Sequence, residues 1–295
     1  MADTIFMLKY RLIFGTLMVA MFVGLILLDG HLDGSLSAQK PDCKIQGTIL
    51  AVFLLLIAIP ANIELAKLIK SAGAKVFLPI TIPCSILLAV GWYAAQFFPN
   101  KLQAAIIIFT FTICLGTLAI FFWQGFKFAA AGAFANIGAN LLTIMYLGAL
   151  SGFVMAFRTD FGAIAFLMYI FTVKCSDIGA YTLGRICGKH KFSPIISPKK
   201  TWEGMLGAVI LAAIVSSLFA GAFDIMPIWQ AILFGIVFAF AGQLGDLAES
   251  MLKRAAEQKD SSNVVPGFGG VLDIIDSPLA TGVLAYLFFI IGCRG

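Results

Sequence analysis

Residues 204–223 read GMLGAVILAAIVSSLFAGAF, an apolar run of 20 residues that contains no charged side chain. An α-helix needs about 20 such residues to cross the hydrocarbon core of a bilayer. Comparable runs occur along the whole chain, and they are continuous rather than alternating with the period of two that marks a membrane barrel. We therefore predict an all-α, polytopic integral membrane protein with about nine transmembrane helices, at roughly 11–28, 47–66, 76–98, 102–123, 129–150, 161–176, 204–223, 228–249 and 274–293.

The composition supports this class. Hydrophobic residues make up 61% of the 295 residues and charged residues 12%, which is about half the charged fraction of an ordinary soluble domain. The first run, from Leu12 to Leu28, is longer than the roughly 7–15 apolar residues of a secretory signal, so we expect a retained first helix. The longest polar stretches are 29–46, 177–203 and 250–273, and no separate soluble domain fits between the runs.

The distribution of Lys and Arg predicts the orientation of the helices. If the N-terminus is cytoplasmic and nine helices follow, 15 of the 20 basic residues lie on the cytoplasmic side and 5 on the other. That split obeys the positive-inside rule. The polar stretches 177–203 and 250–273 are separated by two crossings, so they lie on the same side and can form one site that faces the cytoplasm.

The later polar stretch concentrates charge in an otherwise apolar chain. Residues 242–277 read GQLGDLAESMLKRAAEQKDSSNVVPGFGGVLDIIDS. Spacing at i+3 and i+4 places four polar side chains on one helix face, namely those of Gln243, Asp246, Glu249 and Lys253. Asp273 and Asp276, three residues apart, share a face of the last helix. Ionisable groups in membrane helices usually face a cavity or a partner, and carboxylates from two helix ends suit Mg²⁺. A structural cluster of salt bridges is the alternative.

The earlier polar stretch has the features of an anion site. Residues 176–189 read SDIGAYTLGRICGK, with Arg185 and Lys189 four apart, and 197–204 read SPKKTWEG. Ser197 followed by Pro198 is typical of a helix start, with Ser as N-cap and Pro at the first helical position. A helix N-terminus flanked by two lysines favours phosphate, although lysines there could also serve only to orient the helices. Asp177 is either a metal ligand or a partner for Arg185.

These residues carry a resemblance to a known family. Residues 175–280 resemble the phosphatidate cytidylyltransferases, also called CDP-diacylglycerol synthases, whose pattern runs Ser, Lys-Arg, Lys-Asp, Pro-Gly-His-Gly-Gly, Asp-Arg and Asp. The matching positions here are Ser250, Lys253, Arg254, Lys259, Asp260, Pro266, Gly267, Gly269, Gly270, Asp273 and Asp276, together with Asp177, the stretch 197–204, and the stretch 245–250. Residues 1–170 resemble the family only in being apolar and multi-spanning.

The resemblance implies a reaction and a set of roles. CTP and phosphatidate would give CDP-diacylglycerol and pyrophosphate, with Mg²⁺ as cofactor and a second cation, monovalent or divalent, left open. We expect Asp246, Asp273, Lys253 and Lys259 to be catalytic. The expected metal ligands are Asp246, Asp273, Asp276, Asp260 and Glu249. The expected substrate-binding residues are Asp177, Arg185, Ser197, Lys199, Lys200, Thr201, Glu203, Ser250, Arg254, Gly269 and Gly270.

The chemistry does not call for a protein base. The phosphate monoester of phosphatidate is mostly dianionic at neutral pH, so alignment and charge neutralisation are what the reaction needs. This agrees with the histidines, which are only His31, in a predicted outer loop, and His190, among lysines. Two positions depart from the family pattern. Phe268 stands where the family has His in Pro-Gly-His-Gly-Gly, and Ile274 stands where it has the Arg of Asp-Arg. The reaction rate or the substrate preference can therefore differ from those of the family.

Two other functions remain open at this point. A CTP-dependent kinase of a polyprenol-type lipid alcohol would also need metal and nucleotide contacts, but it would release CDP. A secondary transporter would also have intramembrane carboxylates, but it should show an inverted repeat, which the sequence lacks.

The chain divides into two predicted regions. Residues 1–170 would embed the protein and support dimerisation, and 171–295 would form the catalytic region with its two cytoplasmic polar loops. As partners we expect CTP, phosphatidate, membrane lipids and a second copy in a homodimer, and no nucleic acid. The compact form favours a bacterial inner membrane, with the active site facing the cytoplasm.

Overall fold

The structure, a computed structural model, describes residues 2–36, 45–258, 261–262 and 269–292, with side chains from residue 14 onward. Helices dominate the described chain, and a two-stranded antiparallel hairpin is the one sheet within it. The elements in order are α1 (Ala2–Leu32), α2 (Thr48–Ser71), α3 (Leu78–Ala95), α4 (Lys101–Phe128), α5 (Ala133–Thr143), a π-helical turn (Ile144–Ala149), α6 (Leu150–Cys187), β1 (Lys191–Ser193), β2 (Ser197–Thr201), α7 (Trp202–Phe223), α8 (Ile228–Ala255) and α9 (Val271–Gly292).

Eight helical segments of the described chain are long and apolar enough to cross a membrane. The longest, Ala133–Cys187, has 55 residues, which at 1.5 Å per residue would be about 80 Å long, far more than one crossing. Gly162 interrupts it with a φ of 84° and a ψ of 177°, a left-handed region that favours glycine. The segment is therefore two helices joined at Gly162.

Contacts with α9 show that the chain reverses direction at this break. Asp160, just before it, accepts a hydrogen bond of 2.8 Å from Tyr286 near the end of α9. Asp177, well after it, accepts a bond of 3.5 Å from Ser277 near the start of α9. Before the break, Val154 lies beside Gly282 and Asp160 beside Tyr286, so this part of the chain runs parallel to α9; the part of α6 after the break runs antiparallel to it. With the long segment counted as two, the described chain has nine apolar helices, the number that the sequence predicted.

One contiguous hydrophobic core joins the two predicted regions. It includes Leu65 of α2, Phe157 of α6 and Phe234 of α8, all fully buried, and Phe289 of α9. The rings of Phe157 and Phe289 pack edge to face, with centroids 4.8 Å apart. The division of roles between residues 1–170 and 171–295 stays a prediction, but their helices share a core.

At the end of the bundle that carries Gly162, a buried arginine ties three elements together. The guanidinium of Arg158, which is fully buried, lies 3.0 Å from Asp29 and 2.8 Å from Asp33. Asp33 also accepts hydrogen bonds from the backbone N–H groups of Ser35 and Gly47. Burial opposes the charge of Asp33, but bonds from Ser35 and Gly47 and the nearby guanidinium outweigh it and hold the pKa of that carboxyl below its usual value.

The structure corrects the extent of the earlier polar loop. The sequence ended the sixth span at 176 and treated 177–203 as a loop, but α6 continues to Cys187. The reason is close packing: Gly179 and Gly207 let α6 and α7 approach until a Cβ on either would overlap the backbone of the other. The helix therefore continues beyond its apolar run because α7 supports it there, and Lys189 lies past its end rather than on the helical face of Arg185.

The predicted helix start at Ser197 and Pro198 is wrong. Both residues lie in β2, where Ser197 pairs with Ser193 of β1. The helix begins at Trp202, and Thr201 is its N-cap, because the Thr201 hydroxyl accepts a hydrogen bond of 3.1 Å from the N–H of Gly204. Thr201 supplies the same capping chemistry as Ser197 would, and strand pairing decides between them.

The later polar loop is also shorter than predicted. It was expected at 250–273, but α8 extends to Ala255 and α9 begins at Val271. The charged end of α8 and the acidic start of α9 are therefore both helical, which fixes the directions of the side chains they carry.

Candidate active site

Three carboxylates converge where α8 and α9 meet. Asp246 and Glu249 lie on α8 and Asp276 lies on the first turns of α9, and each offers an oxygen within 4.8 Å of the others. The spacing of three residues along α8 puts Asp246 and Glu249 on one face. Glu249 and Asp276 are buried, so the negative charge is concentrated away from water.

The hairpin brings a lysine onto this cluster. Lys200, in β2, extends its Nζ to 2.8 Å from Oδ2 of Asp246 and donates a hydrogen bond of 2.9 Å to the backbone carbonyl of Gln243. The polar stretch before α7 and the polar end of α8 thus meet through direct contacts. The sequence predicted that these two stretches form one site.

Asp177 joins the site from α6. Its Oδ1 accepts a hydrogen bond of 3.0 Å from the amide of Gln243, and its Oδ2 lies 4.0 Å from Nζ of Lys174. Lys174 also lies 3.7 Å from Asp276. Arg185 instead donates a bond of 3.1 Å to the hydroxyl of Tyr181. The ammonium beside Asp177 is therefore that of Lys174, one turn earlier on the same helix.

Lys253 links α8 to α9. Its Nζ lies 2.7 Å from Oε2 of Glu249 and 2.7 Å from Oδ1 of Asp273. The other oxygen of Asp273 accepts bonds from the backbone N–H of Gly270, at 2.7 Å, and from the N–H and hydroxyl of Ser261. Asp273 thus fixes the turn before α9 and the position of Lys253, and its role as a metal ligand stays a prediction.

A cleft of about 360 Å³ opens beside the carboxylates. Phe192, Met205 and Tyr181 form part of its apolar wall. Its predicted site residues are Asp177, Ser197, Lys199, Lys200, Thr201, Asp246, Asp273 and Asp276. One polar, partly basic cavity therefore brings together five of the eleven substrate-binding residues that the sequence predicted and two of the three clustered carboxylates.

Other predicted residues lie beside the cleft without lining it. Glu203 accepts bonds from the backbone of Lys189 and lies 2.6 Å from Nδ1 of His190, so it holds the turn that leads into the hairpin. Ser250 lies 3.5 Å from Asp246, and Arg254 donates to the carbonyl of Gln258.

Gly269 and Gly270 directly precede α9. Gly269 has a φ of 95°, a region that favours glycine, and Gly270 donates its N–H to Asp273. Lys259, Asp260 and Phe268 lie outside the described residues, and Ile274 is in the first turns of α9.

The donor set fits a hard divalent cation. Mg²⁺ prefers oxygen ligands and is typically held by one or two carboxylates together with substrate phosphates. Oε1 of Glu249 is buried and, within the part of the chain that the structure describes, has no hydrogen-bond partner, while Oε2 contacts Lys253. The hydroxyl of Tyr146, on the π-helical turn, is likewise buried without a hydrogen bond among the described residues, and Asp276 and Glu249 act on it electrostatically. These groups leave ligand capacity directed towards the cluster.

Two residues near the site were missed at the sequence level. Lys174 is a lysine at the end of an apolar run, and Glu64 is an acid inside the apolar run of α2. An ionisable residue within a membrane helix is by default a candidate for function. That signal was available for both residues.

Comparison with known proteins gives the family. The sequence matches the profile described as "Cytidylyltransferase family" over residues 9–291, nearly the whole chain. The chain belongs to the cytidylyltransferase family. Membership extends across the first six crossings as well, although motifs alone had tied only residues 175–280 to a family.

Named relatives within the family agree with one another. A protein of Staphylococcus haemolyticus named phosphatidate cytidylyltransferase is 34% identical over 241 residues, which are 78% of this chain and 86% of the relative. One of Helicobacter pylori with the same name is 34% identical over 210 residues, 70% of this chain and 72% of the relative. One of Staphylococcus epidermidis is 38% identical over 147 residues, 49% of this chain and 56% of the relative.

Proposed function

We propose that the protein transfers the cytidylyl group of CTP to phosphatidate and forms CDP-diacylglycerol and pyrophosphate. The observation that carries this proposal is the convergence of Asp246, Glu249 and Asp276 within 4.8 Å beside a cleft lined by Lys174, Lys199 and Lys200. Acidic and basic groups so arranged suit a substrate whose phosphates are bound by a metal and by ammonium groups together. The membership in the cytidylyltransferase family and the names of the relatives support the same reaction.

Mg²⁺ is the proposed cofactor, and the clustered carboxylates of Asp246, Glu249 and Asp276 would hold it. Bound there, it would polarise the CTP phosphates and stabilise the charge of the departing pyrophosphate. Of the five metal ligands that the sequence analysis expected, this assignment keeps Asp246, Glu249 and Asp276. It leaves out Asp273, because Asp273 engages Lys253, Gly270 and Ser261, and Asp260 lies outside the described residues.

The chain's own cations would bind and align the phosphates. Lys199 is exposed and lines the cleft, and Lys200 reaches its floor beside Asp246. Lys174 contacts Asp177 and Asp276 from the opposite wall. An incoming triphosphate would compete with these carboxylates for the ammonium groups, so the pairs mark where phosphate oxygens bind. The attacking phosphate of phosphatidate is already dianionic, and no side chain needs to remove a proton.

Lys253 would orient the reacting phosphate. It is mostly buried, and carboxylates of α8 and α9 hold it from two sides. A positively charged group held so firmly is preorganised, and preorganised charge is usually the largest contribution to this kind of catalysis. Arg254, which is exposed one residue later, would contact the lipid headgroup.

The location within the cell is part of the proposal. The protein is an integral membrane protein, with many helices of apolar composition and bacterial relatives. The distribution of Lys and Arg supports a bacterial inner membrane with the cleft facing the cytoplasm, where CTP is available. Acyl chains of phosphatidate would remain in the bilayer, and we propose a homodimer as the working form.

The deciding experiment identifies both products. Purified protein in lipid would be incubated with Mg²⁺, phosphatidate and CTP labelled on the α-phosphate or the γ-phosphate. Label from the α-phosphate in CDP-diacylglycerol, with label from the γ-phosphate in pyrophosphate, would establish the reaction. Release of CDP together with a phosphorylated lipid alcohol, only when an alcohol replaces phosphatidate, would identify a lipid kinase instead and overturn the proposal.

A further inference from the structure

A buried carboxylate of α2 bonds to the start of α9. Glu64 is only 3% exposed and lies within an apolar membrane helix, where a carboxylate is costly unless it has partners. Within the described part of the chain, its hydrogen-bond partners come from the segment that precedes and begins α9. Oε1 accepts bonds from the Ser262 hydroxyl, at 2.6 Å, and from the N–H of Val271, at 3.1 Å. Oε2 accepts a bond of 2.9 Å from the N–H of Leu272 and lies 3.4 Å from the hydroxyl oxygen of Ser261.

These contacts make Glu64 a cap supplied from another helix. The first N–H groups of a helix have no partner within it, and Val271 and Leu272 are the first two residues of α9. A carboxylate there satisfies both groups and also interacts favourably with the positive end of the helix dipole. Glu64 therefore stabilises the first turn of α9.

The position of α9 in turn determines the geometry of the site. Asp273 and Asp276 lie on its first turns, and Ser261 bridges Glu64 to Asp273, to which it donates at 2.7 Å. A side chain on Gly270 would overlap both Glu64 and the Ser261 hydroxyl, which explains a glycine at this place. Glu64 touches the residues around the carboxylate cluster but lines no part of the cleft.

We propose that Glu64 is a positioning residue that aligns the carboxylates of α9 with those of α8. The expected loss of kcat rests on the function proposed above. The expected changes in helix capping and in cation binding can be measured without turnover. It predicts that neutralising Glu64 displaces Asp276 from Asp246 and Glu249, so that cation binding weakens although the fold persists.

The test compares Glu64→Gln with Asn62→Ala. Asn62 is a matched control because it is fully buried on the same helix, two residues away, and its described bonds go to Ala58 and Ser85 rather than to α9. Two readouts do not depend on activity: hydrogen exchange at the amides of Val271 and Leu272, and the affinity for Mn²⁺ alone, measured by electron paramagnetic resonance. The third readout is kcat with saturating CTP.

For E64Q we expect amide exchange at Val271 and Leu272 to rise at least about tenfold. Mn²⁺ affinity and kcat should each fall by about 10-fold to 100-fold, as for other residues that support metal ligands. Glu64→Asp keeps the charge and should recover part of each loss. N62A should lower the unfolding temperature and leave all three readouts near the wild-type values.

The outcomes separate this proposal from the proposed function. Folded E64Q with exchange and Mn²⁺ affinity within about twofold of wild type would overturn the positioning role. Faster exchange with unchanged Mn²⁺ affinity would overturn it too, because Glu64 would then be a structural cap only. If the wild type made no CDP-diacylglycerol, the proposed function would fail, and the exchange and Mn²⁺ measurements would still decide the role of Glu64.

Discussion

The ammonium of Lys200 lies 2.8 Å from a carboxylate oxygen of Asp246. This contact joins the β-hairpin to α8 and places a cation of one polar stretch against the acidic cluster of the other. Both residues line the cleft, so a phosphate that binds a cation at Asp246 would also lie close to Lys200.

Lys200→Met should impair nucleotide binding. The substitution keeps the length of the side chain and removes its charge, and a hydrogen bond to a charged group contributes about 1.5–3 kcal/mol. We expect KM for CTP to rise by roughly 10-fold to 100-fold, with a smaller change in KM for phosphatidate. Lys189→Met is the control, since Lys189 is exposed and does not line the cleft. Equal effects of both substitutions would show that general positive charge, rather than Lys200, attracts CTP.

Asp246→Asn should strongly reduce turnover in folded protein. The amide retains the shape but not the charge that a divalent cation requires, so kcat should fall on the order of 100-fold and higher Mg²⁺ should restore little of it. Asp224→Asn is the control: Asp224 is exposed at the end of α7 with a φ of 50°, a conformation that Asn tolerates well. Near-normal activity of D246N across a Mg²⁺ titration would remove Asp246 from the cation site.

Gly207→Ala should disrupt the contact between α6 and α7. A Cβ at this position would lie 2.6 Å from the Cβ of Leu183 and would overlap the carbonyl of Gly179. Overpacking of this kind costs about 1–3 kcal/mol, and displacement of α6 would also move Asp177 relative to α8. The control is Gly125→Ala, because Gly125 has no atom within 4 Å of an added Cβ. Thermal unfolding in detergent would measure the difference, and equal midpoints for both variants would contradict close packing at Gly207.

Arg158→Met should destabilise the protein strongly while sparing the chemistry. Removing the guanidinium leaves Asp29 and Asp33 buried without their cation, and breaking such a network typically costs about 3–5 kcal/mol. The triple substitution with Asp29→Asn and Asp33→Asn should recover much of that loss. Because the network lies at the opposite end of the bundle from the cleft, KM for CTP should not change in the protein that remains folded. If the R158M protein without the two aspartate substitutions were as stable as wild type, the arginine would not be holding the three elements together.

The sequence predicted the features that depend on local spacing. The shared face of Gln243, Asp246 and Glu249 follows from the helical period, and the structure confirms it. Both Ser197 and Thr201 satisfy the rule for an N-cap, and only the pairing of Lys191 with Thr201 at the base of the hairpin determines that the helix starts at the second. The capping rule alone does not reveal that Ser197 pairs with Ser193 in a hairpin.

Contacts across helices were less accessible to sequence reasoning. The sequence predicted that carboxylates of α8 and α9 converge, because they lie at two helix ends on the same side of the membrane. Asp276 joins the cluster, whereas Asp273 contacts Lys253 instead. The choice between them depends on differences of a few ångströms, which the sequence does not reveal. Glu64 is recognisable in the sequence as an acid within an apolar helix. Its partners could not be recognised in this way, because they lie 197 to 208 positions further along the chain.

The contact between Glu64 and α9 has a consequence for biogenesis. A ribosome synthesises Glu64 long before Val271 and Leu272, which are 207 and 208 residues away. Until the last helix has been made, the carboxylate of α2 has none of those amide donors. Insertion of the second helix and completion of the catalytic end are therefore separate events in time, and a nascent chain truncated before α9 would carry an uncompensated acid within its bilayer-embedded half.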